Sequence, residues 1–151
     1  MTSPQLLNSS TPQPFSGIYA GKTVWLSGHT GFKGSWLATW LVRLGARVHG
    51  YALPPATTPA LFEELGLAKI VGHETGDVRD AEAVKKSILH AQPDFVFHLA
   101  AQPLVRSSYE HPLATYATNV MGTAHVFEAL RPLNKPFAAV FVTTDNCNEN
   151  R

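Results

Sequence analysis

The sequence predicts an α/β fold of the Rossmann type, a doubly wound parallel sheet with five strands. Short apolar segments alternate with helical patterns along 151 residues, which is the order that parallel strands and crossover helices produce. A glycine-rich turn, from Gly28 to Gly34, joins the first apolar segment to the first helical pattern. Hydrophobic residues make up 44% and charged residues 15%, a composition that can bury a core and argues against disorder over most of the length.

The first strand is predicted at residues 22–27, because this segment is short, apolar and rich in β-branched and aromatic residues. Four further strands are predicted at residues 47–53, 70–75, 95–99 and 138–143. A doubly wound sheet arranges them in the order 3-2-1-4-5, which brings the first and fourth strands side by side. We expect the sheet to be truncated after the fifth strand, which would leave an apolar edge.

The first helix is predicted directly after the glycine turn. Its apolar residues recur on one face, which consists of Trp36, Leu37, Trp40, Leu41 and Leu44. Gly45 follows this pattern and is a natural C-terminal stop. A short helical turn is predicted at residues 60–65.

Two further helices are predicted in the second half of the chain. Asp80 is a good N-cap for the first of them. Its inward residues are expected to be Val84, Ile88 and Ala91. A loop is expected over residues 102–112, and the apolar spacing over residues 116–130 then indicates a long helix.

Charge and composition exclude several functional classes. The net charge of +1 argues against a nucleic-acid-binding arm and against a basic membrane-binding surface. No apolar stretch approaches the ~18 residues of a transmembrane helix. A single cysteine, Cys147, excludes an internal disulfide, and seven scattered histidines lack the spacing of a metal site, so none is expected. Residues 1–20 are interpreted as a flexible tail and residues 21–151 as the domain, with a cytoplasmic location.

The turn Gly28-x-x-Gly31-x-x-Gly34 lies between a strand and a helix, which is where a dinucleotide fingerprint belongs. Glycines there permit a tight turn, close approach of the backbone to a pyrophosphate, and close packing of helix on strand. The helix N-terminus offers unpaired N–H groups to a dianion. A glycine-rich turn without a ligand is the alternative interpretation.

The sequence does not decide between NAD and NADP. The second strand ends in Tyr51-Ala52-Leu53-Pro54, with neither an acid for the ribose hydroxyls nor an arginine for a 2′-phosphate. Asp77, after the third strand, can accept a hydrogen bond from an adenine amino group, with Val78 as an apolar wall. A turn aspartate that begins the next helix explains the same residue equally well.

The ends of the fourth and fifth strands carry polar residues at the ligand-binding edge of the predicted sheet. His98 is interpreted as a satisfied strand histidine, and Asn119 as a side chain that braces the neighbouring strand. Thr144 and Asp145 suit substrate positioning and proton transfer. Cys147 has no evident base beside it and is interpreted as structural.

Several consecutive strings resemble the extended short-chain dehydrogenase/reductase family, and more narrowly its CDP-glucose 4,6-dehydratase branch. These strings are GHTGFKGSWL, GYAL, GDVRD, FHLAAQPLVRSSYEHP, TYATNVMGT and VTTD. The resemblance implies a bound NAD that takes hydride from C4 of the sugar of CDP-glucose. Water then leaves across C5 and C6, and the hydride returns to C6 to give a CDP-4-keto-6-deoxyglucose.

The resemblance also implies a role for individual residues. Those expected to bind the cofactor are Gly28, Thr30, Gly31, Phe32, Lys33, Gly34, Asp77, Val78, Leu99, Ala100 and Ala101. Thr144 would bond the reacting sugar hydroxyl, and Asp145 would protonate the departing C6 oxygen. His29 and Gln102 are expected near the substrate.

The chain departs from the family pattern in its last residues. No tyrosine is followed four residues later by a lysine, and Asn146 stands where a lysine or glutamate is usual. Asn148 stands where an aromatic is expected. We therefore expect this chain to be inactive alone, with the substrate-binding part absent. A non-catalytic NAD-binding remnant and a nucleotide-sugar epimerase are the alternatives. The full-length family is homo-oligomeric, and the state of this chain is left open.

Overall fold

The computed structural model describes residues 14–144, which form five parallel strands in the order β3-β2-β1-β4-β5. This confirms the predicted Rossmann-type order. The strands are β1 (Thr23–Ser27), β2 (Arg47–Ala52), β3 (Gly72–Thr75), β4 (Phe95–His98) and β5 (Ala138–Phe141). Strand β1 lies in the middle, where Trp25 pairs with His49 on one side and Val96 on the other. All five β1 residues are buried, as expected for a central parallel strand.

Helices connect the strands. They are α1 (Phe32–Arg43), α2 (Leu61–Glu64), α3 (Ala81–Ala91), α4 (Val105–Glu110), α5 (Pro112–Tyr116) and α6 (Gly122–Leu130), with 3₁₀ turns at Pro14–Gly17 and Leu67–Lys69. A π-helical segment, Ala117–Met121, joins α5 to α6. The predicted cap of α3 is confirmed, because the Asp80 carboxylate accepts a hydrogen bond from the Ala83 N–H at 3.0 Å.

Two apolar cores cover the two faces of the sheet. One joins the sheet to α3 and α6 through Trp25, Tyr51, Val78, Val84, Ile88, Val96, Val126 and their neighbours. The other joins it to α1 and α2 through Val24, Leu26, Ala38, Leu41, Val48, Phe62 and Leu67. A sheet covered on both faces leaves its strand ends as the accessible place for a ligand.

The predicted apolar face of α1 is wrong for its two tryptophans. Trp36 and Trp40 are 56% and 52% exposed, whereas the buried residues of the helix are Gly34, Ser35, Ala38 and Leu41. Small side chains let the helix lie close to the sheet, and an indole in the same position would hold it away. The indoles therefore point outward.

Two predicted boundaries also change. The predicted loop over residues 102–112 contains α4, and α5 begins at Pro112, where a missing N–H costs nothing. At the N-terminus, Tyr19 packs against Phe95 with ring centroids 4.9 Å apart, so the ordered chain begins before residue 21. Residues 1–13 of the expected tail, which was predicted over residues 1–20, lie outside the described residues.

Candidate functional site

The glycine turn after β1 is held against the segment that follows β4. Gly28 has φ +75°, and a Cβ there would lie 2.8 Å from the Ala100 nitrogen. A Cβ at Gly34 would overlap the Gly28 carbonyl oxygen. Both glycines are therefore required by the packing of the protein itself.

Gly31 differs from the other two glycines of the turn. Its φ is −76°, and a Cβ would meet only the Gly28 carbonyl oxygen, at 3.4 Å. Neither backbone strain nor internal packing requires glycine here. The side chain that is missing would instead project from the exposed part of the turn, which is the space that a ligand of the α1 N-terminus would use.

The N-terminus of α1 has the properties of an anion site. Its N-cap residue, Gly31, has no side chain to bond the first N–H groups, and the first turn contains no acidic residue. Lys33, in that turn, is exposed. By contrast, Asp80 caps α3, whose N-terminus thus already has a carboxylate.

The backbone after β4 forms the second wall of the cleft. Ser27 Oγ accepts hydrogen bonds from the N–H groups of Leu99 and Ala100, both at 3.1 Å. Asn119 holds the backbone of Gln102 on both sides, accepting from its N–H at 2.7 Å and donating to its carbonyl at 3.1 Å. The predicted bracing role of Asn119 is therefore confirmed.

His98 is a satisfied structural histidine, as predicted. Its side chain is buried, with Nδ1 2.7 Å from Ser27 Oγ and Nε2 3.1 Å from Thr123 Oγ1. Burial lowers the pKa of His98 to about 4, so the ring is neutral at physiological pH.

A hydrogen bond joins the glycine turn to the residue that follows β2. The Thr30 hydroxyl donates to the Leu53 carbonyl at 2.8 Å, which ties the glycine turn to the place where a ribose-binding acid usually stands. Thr30 is buried, so its predicted cofactor contact would have to pass through its backbone.

The predicted adenine site contains an arginine that sequence reasoning missed. Arg79 binds the Asp77 carboxylate through its backbone N–H, its Nε and its Nη2. The Arg79 guanidinium holds the pKa of Asp77 below its usual value, so the carboxylate stays ionised. Val78 is 4% exposed and packs beneath Gly122, so its role as an apolar wall for adenine stays a prediction.

The structure contradicts the expected substrate contact of His29. Its side chain is fully buried, packs against the Phe62 ring at 5.3 Å, and places Nε2 2.8 Å from Nδ1 of His73 in β3. Burial, with the nearby His73 as a lesser cause, lowers the pKa of His29 to about 4. The glycine turn thus uses this histidine to pack on the β2–β3 side, away from β5.

The remaining predicted residues lie after β4 and β5. The Gln102 side chain donates to the Leu104 carbonyl and to Thr115 Oγ1 and accepts from the Leu104 N–H, so its substrate contact stays a prediction. Thr144 is exposed and follows β5 on the same edge as Ala100. Asp145, Asn146, Cys147 and Asn148 lie outside the described residues.

Sequence reasoning also missed the partners of the buried rings. Gly50 and Gly76 are required because a Cβ would overlap the rings of His29 and Tyr51 respectively. For Gly50, a glycine inside a predicted strand was the available signal for such a close approach, whereas Gly76 follows the predicted third strand and gave no such signal. Ser27 and Thr123 gave no comparable signal, because small hydroxyl residues are common in strands and helices.

Within residues 14–144, no group of three or more His, Cys, Asp or Glu side chains is arranged to hold a metal ion. In the same part of the chain, no helix combines the length and the apolar character that crossing a membrane requires.

Known proteins share this arrangement. The family model described as GDP-mannose 4,6 dehydratase matches residues 26–147. The CDP-glucose 4,6-dehydratase of Salmonella typhimurium is 50% identical over 134 residues, which are 89% of this chain and 37% of that enzyme.

Two solved structures extend the comparison. The Bordetella bronchiseptica enzyme WbmF in complex with NAD+ and UDP has a TM-score of 0.69 and 27% identity over 83% of this chain and 36% of its own. The UDP-glucose 4-epimerase of Brucella ovis in complex with NAD has a TM-score of 0.68 and 26% identity over 80% of this chain and 35% of its own. The chain thus spans little more than a third of the length of these relatives. Because the family model covers most of the sequence and the sheet carries its glycine turn in the expected place, the chain belongs to the GDP-mannose 4,6 dehydratase family.

Proposed function

We propose that this chain binds NAD at the carboxyl edge of its sheet, with the diphosphate against the N-terminus of α1. The observation that carries the proposal is the turn at Gly31, where no side chain caps the helix and no internal packing requires a glycine. A diphosphate there would accept hydrogen bonds from the unpaired N–H groups and would lie at the positive end of the helix dipole.

The surroundings of the turn support a dinucleotide over a simple anion. Lys33 adds a cation to the first turn, and the Leu99–Gln102 backbone forms a continuous wall beside Gly28. The ionised Asp77 carboxylate, beyond the end of β3, can accept a hydrogen bond from an adenine amino group. The WbmF and Brucella ovis proteins were both solved with NAD, which favours the same cofactor here.

For the whole protein we propose the dehydration of CDP-glucose to a CDP-4-keto-6-deoxyglucose. The 50% identity to the Salmonella enzyme supports this substrate over other nucleotide sugars. NAD would supply a hydride acceptor that later returns the hydride. In this chain, Thr144 would orient the reacting hydroxyl, and Asp145 would give a proton to the departing C6 oxygen.

NAD binding is tested by titrating the purified 151-residue chain with NAD and following tryptophan fluorescence. We expect saturable quenching, because Trp36 is exposed on α1, the helix that would bind the diphosphate. Gly31→Val should fold normally and lose the response, since its side chain would occupy the diphosphate position. A folded wild-type protein that gives no saturable response would contradict the proposal, as would a Gly31→Val variant that binds as well as the wild type.

The substrate is tested with the natural protein that contains this chain. CDP-glucose, GDP-mannose and UDP-glucose are offered separately, and the 4-keto product is assayed. We expect product from CDP-glucose alone, and its loss in the Asp145→Asn variant. Equal turnover of another nucleotide sugar would refute the proposed specificity while leaving the NAD site in place.

A further inference from the structure

Three buried or half-buried polar side chains, those of Ser27, His98 and Thr123, form a continuous hydrogen-bond chain behind the cleft. It runs from the Leu99 and Ala100 N–H groups through Ser27 and His98 to Thr123. Thr123 Oγ1 continues the chain to the Asn119 carbonyl at 2.7 Å. The chain therefore links β1, the end of β4 and the start of α6.

One set of donor and acceptor roles follows when the Thr123 hydroxyl donates to the Asn119 carbonyl and the His98 ring is neutral. A carbonyl cannot donate, so the Thr123 hydroxyl gives its single proton to the Asn119 carbonyl. Towards His98 it can then only accept, which places the ring proton on Nε2. With its proton on Nε2, a neutral His98 has an unprotonated Nδ1, which accepts a hydrogen bond from the Ser27 hydroxyl. The oxygen of that hydroxyl can then accept hydrogen bonds from backbone N–H groups.

This direction makes Ser27 an acceptor for the wall of the cleft. Leu99 N–H has a second acceptor in the Ser27 carbonyl, at 3.3 Å, whereas Ser27 Oγ is the acceptor found for Ala100 N–H. The Ala100 nitrogen lies where a Cβ on Gly28 would come within 2.8 Å. The position of this peptide group is thus coupled both to the glycine turn and to the tautomer of His98.

We propose that Ser27, His98 and Thr123 are positioning residues, whose one-directional hydrogen-bond chain holds the Leu99–Gln102 backbone in the conformation that receives the cofactor. This inference rests on the proposed NAD site. It assigns a binding role to side chains that do not themselves reach the cleft, since Ser27 and His98 are 0% and 3% exposed. Asn119 completes the support at Gln102.

The test compares two buried serines. Ser27→Ala removes the acceptor of Ala100 N–H and the donor to His98. Ser87→Ala is the matched control, because Ser87 is also buried, with 4% exposure, and bonds Trp25 Nε1 and the Glu74 carboxylate instead of the Leu99–Gln102 backbone. Both variants should unfold at lower denaturant concentration than the wild type. The Kd for NAD should rise about tenfold in Ser27→Ala and stay within about twofold of wild type in Ser87→Ala.

Two NMR measurements test the Ser27–His98–Thr123 hydrogen-bond chain in the protein without any ligand. Nitrogen shifts of His98 should report a neutral ring with the proton on Nε2. Amide exchange at Ala100 should quicken in Ser27→Ala and remain slow in Ser87→Ala. Should Ser27→Ala fail to fold, Thr123→Val takes its place, because it is similar in shape and removes the acceptor of the ring proton together with the donor to the Asn119 carbonyl.

The outcomes separate this inference from the proposed function. Equal changes of NAD affinity in the two serine variants, or a His98 proton on Nδ1, would overturn the positioning role. A wild-type protein that does not bind NAD would overturn the proposed function. The amide-exchange rates of Ala100 in the two serine variants would still decide whether the hydrogen-bond chain positions the Leu99–Gln102 backbone.

Discussion

Gly28, Gly31 and Gly34 share one sequence motif but meet three different physical requirements. Gly28 has a positive φ and lies against the Ala100 peptide, and Gly34 lies against the Gly28 carbonyl. Gly31 has neither constraint. A spacing pattern treats the three alike, whereas the structure separates two folding glycines from one that leaves room for a ligand.

This difference predicts that two alanine substitutions in the turn have unequal effects on stability. Gly34→Ala should destabilise the protein by about 3 kcal/mol, because its Cβ would overlap backbone that cannot move freely. Gly31→Ala should change the free energy of unfolding by less than about 0.5 kcal/mol. Urea unfolding of both variants measures this, and similar losses for the two would show that the turn is packed differently.

The elements differ in how they bury themselves and how they end. Helix α1 reaches the sheet through Ala38 and Leu41 and turns Trp36 outward, whereas α3 is capped by Asp80 and buries Val84 and Ile88. Apolar spacing located both helices. It identified the buried face of α3, whereas for α1 it identified Leu41 and wrongly added Trp36 and Trp40. A hydropathy pattern weighs an indole above an alanine, while close packing on a sheet selects the smaller residue.

The packing of α1 can be checked with two substitutions. Leu41→Ala should cost about 3 kcal/mol, since Leu41 is 1% exposed in the core that includes Val24 and Leu26. Trp36→Ala should cost less than about 1 kcal/mol, because most of the indole is already in water. Chemical denaturation gives both values. A larger loss at Trp36 than at Leu41 would restore the face that the sequence predicted.

The cap of α3 gives a second test at this scale. Asp80→Ala removes the acceptor of the Ala83 N–H and should cost about 1 kcal/mol. Asp80→Ser keeps an acceptor and should recover most of that loss. Thermal unfolding of the pair is sufficient, and an unstable serine variant would argue that the charge, and not the cap, matters.

The whole molecule is a sheet with a core on each face, and each core carries one buried neutral histidine. His29 lies on the α2 side and His98 on the α6 side. Both are neutral because burial lowers their pKa values to about 4, whereas in the unfolded chain the value is 6.5. Between these two pH values the unfolded chain binds protons that the folded chain does not.

The free energy of unfolding should therefore be largest above pH 6.5 and fall as the pH is lowered towards 4. Each histidine should contribute a loss of about 2–3 kcal/mol across that window. Urea unfolding at several pH values measures the slope, and His98→Gln should make it shallower. A free energy that stays constant from pH 6.5 to 4 would show that the two rings are accessible to protons.

Catalytic activity depends on how much of the protein is present. The 151-residue chain spans 37% of its Salmonella relative and contains no tyrosine with a lysine four residues on. We expect the chain purified alone to bind NAD and to give no 4-keto product from CDP-glucose. Product formed by this chain would contradict that expectation.

The sequence by itself determined the five strands, their order, the glycine turn, the Asp80 cap and the family. These depend on local spacing and on connections that only one handedness satisfies. Only the tertiary structure decided that His29 is buried against His73 and that Ser27 and Thr123 bond His98. Such contacts join residues up to 71 positions apart, and their geometry depends on how side chains pack across the sheet, which no local pattern encodes.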